Sequence, residues 1–437
     1  MSELSRLPGI DKLLSEPQLA SFPHRTALLA ARQAVNEARN GMPIESILAR
    51  AVQLADGFEL SPHRPAINCS GTIMNTGLGR SRLSKEAVEA IHRVASSHST
   101  LEIDLKTGRR GDRQAPLESL LRELTGAASA IVVNNNAGAV LLAVHTFAAG
   151  GSVLLSRGQS VEIGGAFRMP DVVAAAGARL LDVGCTNKTR LSDYADAIQA
   201  DTRVILRCHP SNFKITGFVD EPTAEELAAL ANEKGLVLID DVGSGCLFNS
   251  EDIGLPHEPT LTESLQGGAH VVTASGDKLL GATQAGILLG SADHIGKLKK
   301  SPMARALRID KLTAAGLEAT LRLAADNKWE EIPTYRALSR TVDEMKTTAE
   351  RIIRAVGQGE VGPGTCEPGG GSLPGVTLPS IRIGFIGMEP EALAASLRNG
   401  DVPLIGYIEK GTFWLDLRAV EEQDIDPLIH ELKRALA

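Results

Sequence analysis

Between about residues 66 and 310, short apolar runs rich in β-branched residues alternate with stretches whose apolar positions recur at helical spacing. The runs lie at 130–133, 153–155, 204–206, 236–239, 271–274 and 285–289. This alternation predicts an α/β domain, a mainly parallel sheet covered by helices on both faces. Helix signals fall in the gaps. Leu117, Leu120, Leu121 and Leu124 share one helical face that Gly126 ends, and Thr223 with Glu226 has the spacing of a capping box.

The pattern differs on either side. An alanine-rich helical stretch at 25–40 is repeated at 44–54, after Gly41 and Pro43, and the loop Ser61-Pro62-His63-Arg64-Pro65 breaks it. Beyond Lys311 a long helical pattern at 312–325 leads into a last segment, in which 361–374, rich in Gly and Pro, reads as a loop and 412–417 as a strand. Three domains are expected: a helical one at 1–60, a large α/β domain at 61–310, and a linking helix with a smaller α/β domain at 311–437. The chain has no internal repeat.

With aromatic residues at only 3%, the core must come from Ala, Leu, Val and Ile, as helices on parallel strands require. A formal charge of -8 leaves any nucleic-acid partner to be met by a local patch, not by a global basic field. Five scattered cysteines without a CxxC pair argue against a zinc site or a disulfide framework. The first residues lack the apolar core of a signal peptide, and no apolar run nears the roughly 20 residues of a membrane span. A cytoplasmic location is expected.

Three motifs carry candidate chemistry, each at the end of an expected strand. Ser275-Gly276-Asp277-Lys278 follows the run at 271–274, where ligands bind in open α/β sheets. A buried lysine there has a lowered pKa and can condense with an aldehyde; the plainer reading is an exposed loop lysine. Asn136-Ala137-Gly138 opens a helix after the run at 130–133, and free backbone N–H groups at such a start seat a phosphate; a plain polar turn is the alternative. Asp240-Asp241 ends the run at 236–239. A carboxylate there suits the protonated ring nitrogen of pyridoxal phosphate, although either aspartate alone reads equally as a turn or cap residue. Phosphate seat, carboxylate and lysine together point to pyridoxal 5'-phosphate, with Ser275 beside it.

Weaker candidates surround this trio. In His209-Pro210-Ser211-Asn212, Asn212 is the expected cofactor contact and His209 a structural residue. Arg418 faces either a substrate carboxyl or ester, or solvent. Lys297, Lys299, Lys300, Arg305, Arg308 and Lys311 form a basic cluster that reads as a solvated face or as a phosphate or tRNA surface.

The segments 68–79, 132–140 and 156–165, Ser275 to Gly281, and 304–312 resemble bacterial selenocysteine synthases, the L-seryl-tRNA(Sec) selenium transferases. The resemblance spans nearly the whole chain, including the helical N-terminal extension. It implies an aspartate-aminotransferase-like fold (pyridoxal-phosphate fold type I) and conversion of L-seryl-tRNA(Sec) to L-selenocysteinyl-tRNA(Sec) through an aminoacrylyl intermediate, with selenophosphate as donor. It places the cofactor on Lys278, the ring-nitrogen carboxylate on Asp241, and a catalytic aspartate on Asp277, beside the lysine and suited to helping the seryl hydroxyl depart. Arg80, Arg305 and Arg308 fall on arginines that handle the selenium donor. A homo-oligomer with shared active sites is implied, the family being decameric, and the N-terminal unit is where the family grips tRNA.

Departures from the family pattern cluster near the expected site. Asn75-Thr76-Gly77 stands where His-Thr-Asn is usual, Ala282-Thr283 where Gly-Pro is common, and Tyr407 where an arginine is common. Residues 1–60 carry Arg6, Lys12, Arg25, Arg32, Arg39 and Arg50 against at least as many acids, so RNA would be read there by shape. Two other functions therefore stay open: a related pyridoxal-phosphate lyase that eliminates water or ammonia from a small amino acid or amino sugar acid, and a tRNA-binding protein without catalysis.

Overall fold

A computed structural model describes residues 7–59, 63–165 and 167–437. The chain divides into two compact units, Met1–Ala66 and Ile67–Ala437. Of the expected break at 61–65, Ser61 and Pro62 lie outside the described residues, as does Arg6.

The first unit is helical. His24–Arg39 packs against Ile47–Glu59, with Ile10–Leu14 and Pro17–Ala20 alongside. Its core is small: Ala27, Ala30, Ala31, Ala34, Ala51 and Ala55 let the two long helices approach closely, and Leu19 and Ile47 close the ends.

The second unit is built on a seven-stranded sheet, in the order Ser129–Val133, Gly286–Gly290, Val271–Ser275, Val237–Gly243, Thr202–Cys208, Ser152–Ser156, Arg179–Val183. All neighbours are parallel except Gly286–Gly290, which runs against both of its partners. The mainly parallel α/β reading is therefore met. Two aliphatic clusters cover the two faces, one around Val132, Ile205 and Leu238, the other around Val133, Leu206 and Ile239; consecutive residues go to opposite clusters because side chains alternate along a strand. The edge strand Arg179–Val183 escaped the sequence pattern because only Val183 in it is buried.

The helices end where local chemistry says they should. Ala115–Thr125 stops at Gly126, which is left-handed at φ 73. Thr223 accepts from the Glu226 backbone N–H at 3.3 Å while Glu226 accepts from the Thr223 N–H at 2.8 Å, a complete capping box for Ala224–Lys234.

A second, five-stranded sheet takes most of its strands from the C-terminal part of the chain: Tyr407–Glu409, Thr412–Asp416, Leu378–Phe385, Glu360–Gly369 and Thr72–Met74. Two features differ from expectation. Residues 67–74 run into C-terminal sheets: Ile67–Asn68 pairs with Leu404–Ile405, and Thr72–Met74 with Glu367–Gly369. The stretch expected as a loop at 361–374 begins inside the ten-residue strand Glu360–Gly369, paired antiparallel with Leu378–Phe385. Proline is tolerated there because Thr72–Met74 reaches only the far end, leaving one side of Pro363 without a partner strand. In the partner strand Gly384 has no room for a side chain because Trp414 lies across it: a Cβ there would come within 2.5 Å of the ring. Arg382 stacks on the same ring at 4.0 Å.

Candidate active site

Lys278 sits in a turn pinned at several points. The Gly276 N–H bonds the Ala285 carbonyl (2.9 Å), the Leu279 N–H the Ser244 carbonyl (3.0 Å), and the Gly281 N–H the Lys278 carbonyl (2.9 Å). The side chain is buried. Burial holds its amine below the ordinary lysine range, Arg80 pushes the same way, and the charges of Asp241, Asp277 and Glu258 oppose this in part. A larger fraction of neutral amine, the nucleophilic form, follows.

Asp241 and Asp240 point to opposite faces, as neighbours in a strand must. Asp240 is paired with Arg207 at 3.0 Å and accepts from Ser264 at 2.5 Å, which makes it a structural link. Asp241 is buried on the Lys278 side, and its Oδ1 accepts from Asn136 Nδ2 (2.8 Å) and Thr273 Oγ1 (2.9 Å). Burial pushes its carboxyl up, and the two hydrogen bonds and the lysine charge pull it back.

The turn at 134–138 opens the helix Asn136–Ala148, and its N-cap Asn135 accepts from the Gly138 N–H at 2.8 Å. That amide is thus already used within the turn. Asn136 ties the turn to Asp241, and its own Oδ1 is buried without a partner. Ala137 lies between them in the first helical turn. Ser275 is buried at the end of Val271–Ser275, its carbonyl packed against Gly245.

Arg80 reaches Asp277 from 197 residues away, NH1 to Oδ2 at 2.7 Å, and adopts the left-handed backbone (φ 63) that residues other than glycine rarely hold. Ser81 donates to the carbonyls of Asp277 (2.9 Å) and Lys278 (2.6 Å). The other two arginines belong to a different group. Arg308 bridges to Val133 beside the helix-opening turn, where the Asn134 N–H bonds the Leu307 carbonyl, and it pairs with Glu102 at 3.4 Å. Glu102 also takes Arg113 (2.5 Å) and Arg110 (2.9 Å). Burial and the charges of Arg113, Arg305 and Arg110 push the Arg308 guanidinium below its ordinary range. Arg305 is exposed next to it. Sequence reading named Arg305 and Arg308 but missed Arg110, Arg113 and Glu102, which the fold gathers around them.

Other expectations are corrected. Asn212 is exposed, and its side-chain amide donates to the Glu162 carbonyl at 2.8 Å. Its neighbour Ser211 is the buried one of the two: a Cβ on Gly371 would touch both Ser211 Oγ (3.2 Å) and Lys278 Nζ (3.4 Å). Arg418 faces neither substrate nor solvent. It is buried and donates to the carbonyls of Ala337 and Arg340 at 2.9 Å each, with Leu338 and Pro379 as further acceptors. His209 is held by burial at a pKa of about 4, a neutral imidazole near Lys278. In the basic cluster, Lys297 pairs with Asp293, Lys299 with Glu118, and Lys311 with the Ser97 carbonyl.

The departures from the family pattern have local partners. Asn75 bonds Ser70 and caps the turn to Gly77, Thr283 bonds the Thr313 carbonyl, and the Tyr407 hydroxyl accepts from Arg382 at 3.1 Å. Glu258 was not foreseen: buried, with burial pushing its carboxyl up, it accepts from the Leu373 N–H at 3.1 Å and borders a cavity of about 320 Å³ with His209, Lys214, His257 and Pro374.

The donor set fits pyridoxal phosphate: a buried amine for its aldehyde, a buried carboxylate for its ring nitrogen, a helix N-terminus for its phosphate, and an unpartnered buried polar atom on Asn136. A family model described as L-seryl-tRNA selenium transferase matches residues 66–421. The chain belongs to that family. Relatives named L-seryl-tRNA(Sec) selenium transferase include one from Hyphomonas neptunium, 43% identical over 99% of this chain and 98% of the relative. Another, from Carboxydothermus hydrogenoformans, is 41% identical over 97% of this chain and 96% of its own length. Among solved structures, a D-glucosaminate-6-phosphate ammonia-lyase superposes with a TM-score of 0.61 at 20% identity, covering 87% of this chain and 97% of that one. It shares the fold, that of the type I pyridoxal-phosphate enzymes. A Thermus thermophilus aspartate aminotransferase matches at a TM-score of 0.45 over 96% of this selenium transferase family member and 98% of that chain.

Proposed function

We propose that the protein converts the seryl group of L-seryl-tRNA(Sec) into a selenocysteinyl group, with selenophosphate as the selenium donor. The observation that carries the reading is the burial of Lys278 and Asp241 side by side at the ends of adjacent strands, in a chain whose similarity to the selenium transferases runs through the N-terminal helical unit as well.

Pyridoxal phosphate bound here supplies an electron sink for loss of the α-proton and of the β-hydroxyl. The chain's own groups do the rest. The Lys278 amine, its pKa lowered by burial, would hold the aldehyde carbon and can take a proton from the substrate α-carbon. Asp241 holds the ring nitrogen, and Asn136 and Thr273 keep that carboxylate oriented. The main chain at Asn136 and Ala137 would receive the phosphate at the helix start, next to Gly138, whose N–H is held by Asn135. Asp277 fixes the Arg80 guanidinium at Lys278, where it meets the donor's phosphate oxygens; Arg305 and Arg308 serve the same anion from a second direction.

A homo-oligomer with shared sites fits the exposed Leu105 and Phe218, 78% and 86% accessible, which a single chain leaves uncovered. The first unit is the expected grip on tRNA, and a protein acting on aminoacyl-tRNA works in the cytoplasm. No helix among the described residues is long and apolar enough to cross a membrane.

The experiment is single-turnover incubation of the cofactor-loaded protein with radiolabelled seryl-tRNA(Sec) and selenophosphate. Labelled selenocysteine released from the tRNA is the expected product. Unchanged serine, or turnover of free serine alone, would remove this function.

A further inference from the structure

Three consecutive left-handed glycines, Gly369, Gly370 and Gly371, carry the strand Glu360–Gly369 out of the five-stranded sheet and bring its continuation against Lys278. A side chain at the last of them is disfavoured: φ is 74, and a Cβ on Gly371 would stand 3.2 Å from Ser211 Oγ and 3.4 Å from the lysine nitrogen. Ser211 lies at this contact and Ser372 follows Gly371 in the chain. The two are only 4% and 3% accessible, and the Oγ of each has no hydrogen-bond partner. A buried hydroxyl left unpaired costs on the order of 1–3 kcal/mol, so two flanking Gly371 mark a place that a ligand completes.

The substrate amine must take over the position of the lysine nitrogen on the cofactor. Groups that touch Nζ therefore come to face atoms one or two bonds from that amine, which on serine are the α-carbon and its carbonyl. Neutral donors suit an ester carbonyl. A free carboxylate brings a full charge, and burying it calls for a cation, usually a forked guanidinium. Of the cations nearest the lysine, Arg80 is held by Asp277 for the donor anion and Arg418 by main-chain carbonyls, while burial keeps the His209 ring neutral.

We propose that the Ser211 and Ser372 hydroxyls, beside Gly371, seat the ester carbonyl of the aminoacyl group and make the site select esterified serine over free serine. This rests on the conversion of tRNA-linked serine proposed above and adds the residues that choose the ester. Both act on bound substrate, so removing them changes recognition and leaves the cofactor in place.

The test is a titration of the cofactor-loaded full-length protein with L-serine methyl ester and with L-serine, followed by the change in the cofactor's visible absorbance. The ester should half-saturate at least tenfold below the free acid. Ser211→Ala and Ser372→Ala should each reduce that ratio several-fold, chiefly by weakening the ester, with the resting absorbance unchanged. Equal affinity for ester and acid in the unaltered protein overturns the inference, as does loss of cofactor in either variant, which would make these hydroxyls cofactor ligands. Should the ester preference hold while seryl-tRNA(Sec) yields no selenium product, the seat stands and the proposed reaction falls.

Discussion

Asn136, in the first turn of its helix, donates its side-chain amide at 2.8 Å to Asp241, 105 residues further along at the end of another strand. One hydrogen bond thus couples the phosphate end of the site to the ring-nitrogen end. It also works against burial, which by itself pushes the Asp241 carboxyl up.

Asn136→Ala should weaken cofactor retention about tenfold, the worth of one hydrogen bond to a charged group. With that bond gone the Asp241 carboxyl rises further, so the carboxylate is lost sooner on acidification. The acid limb of cofactor binding should move to higher pH, as equilibrium dialysis across a pH series would reveal. An unmoved limb would contradict the coupling.

Arg80→Ala removes the partner of Asp277 but touches neither Asp241 nor the helix start. The cofactor should still bind, while KM for the selenium donor rises by about tenfold or more, the loss of a charge-assisted contact. Steady-state kinetics with varied selenophosphate would show it, and a donor KM equal to that of the parent would refute the assignment.

His209 titrates at about 4 in the folded chain against an ordinary value of 6.5. The unfolded chain therefore takes up a proton first as pH falls. Its contribution to stability is complete above pH 6.5 and is lost between there and about pH 4, a difference of roughly 3 kcal/mol. His209→Gln, which cannot protonate, should lose less stability over that window. Urea midpoints of the two proteins at pH 7 and pH 4.5 give the comparison, and parallel losses would argue against a buried neutral ring.

Arg418 binds main-chain carbonyls from two segments of the C-terminal part, 337–340 and Pro379. Arg418→Met strands those acceptors and should cost about 2–4 kcal/mol, measurable by denaturant unfolding. Because the residue touches no substrate, KM for seryl-tRNA(Sec) should stay within about twofold in whatever fraction remains folded. A large rise in that KM with stability intact would instead return Arg418 to the active site.

Much of this was visible before any coordinates, for local reasons. The buried sheet announced itself because strands covered on both faces must be apolar at successive positions, as in Val132 and Val133. Lys278, Asp241 and Asn136 stood out because each follows such a run, and strand ends are where the backbone of this architecture opens to ligands. The edge strand Arg179–Val183, with a single buried residue, carried no such mark. Arg418 was misread because a guanidinium saturated by carbonyls has the same letter as one facing solvent. Gly and Pro at 361–374 suggested a loop, because nothing nearby in the chain reveals that Leu378–Phe385 pairs along Glu360–Gly369 or that Thr72–Met74 stops short of Pro363.

The sequence by itself determined the strand and helix rhythm, the aliphatic core, the helix caps and the strand-end positions of the lysine, the carboxylate and the helix start. All of these depend on neighbours within a turn or two. Tertiary structure alone decided that Arg80 meets Asp277 across 197 residues, that Glu102 gathers Arg110, Arg113 and Arg308, and that Ser211 and Lys278 meet at Gly371. The reason is physical: hydrogen bonds, charge pairing and desolvation act over a few ångströms of space, and only the folded chain settles which distant residues share that space.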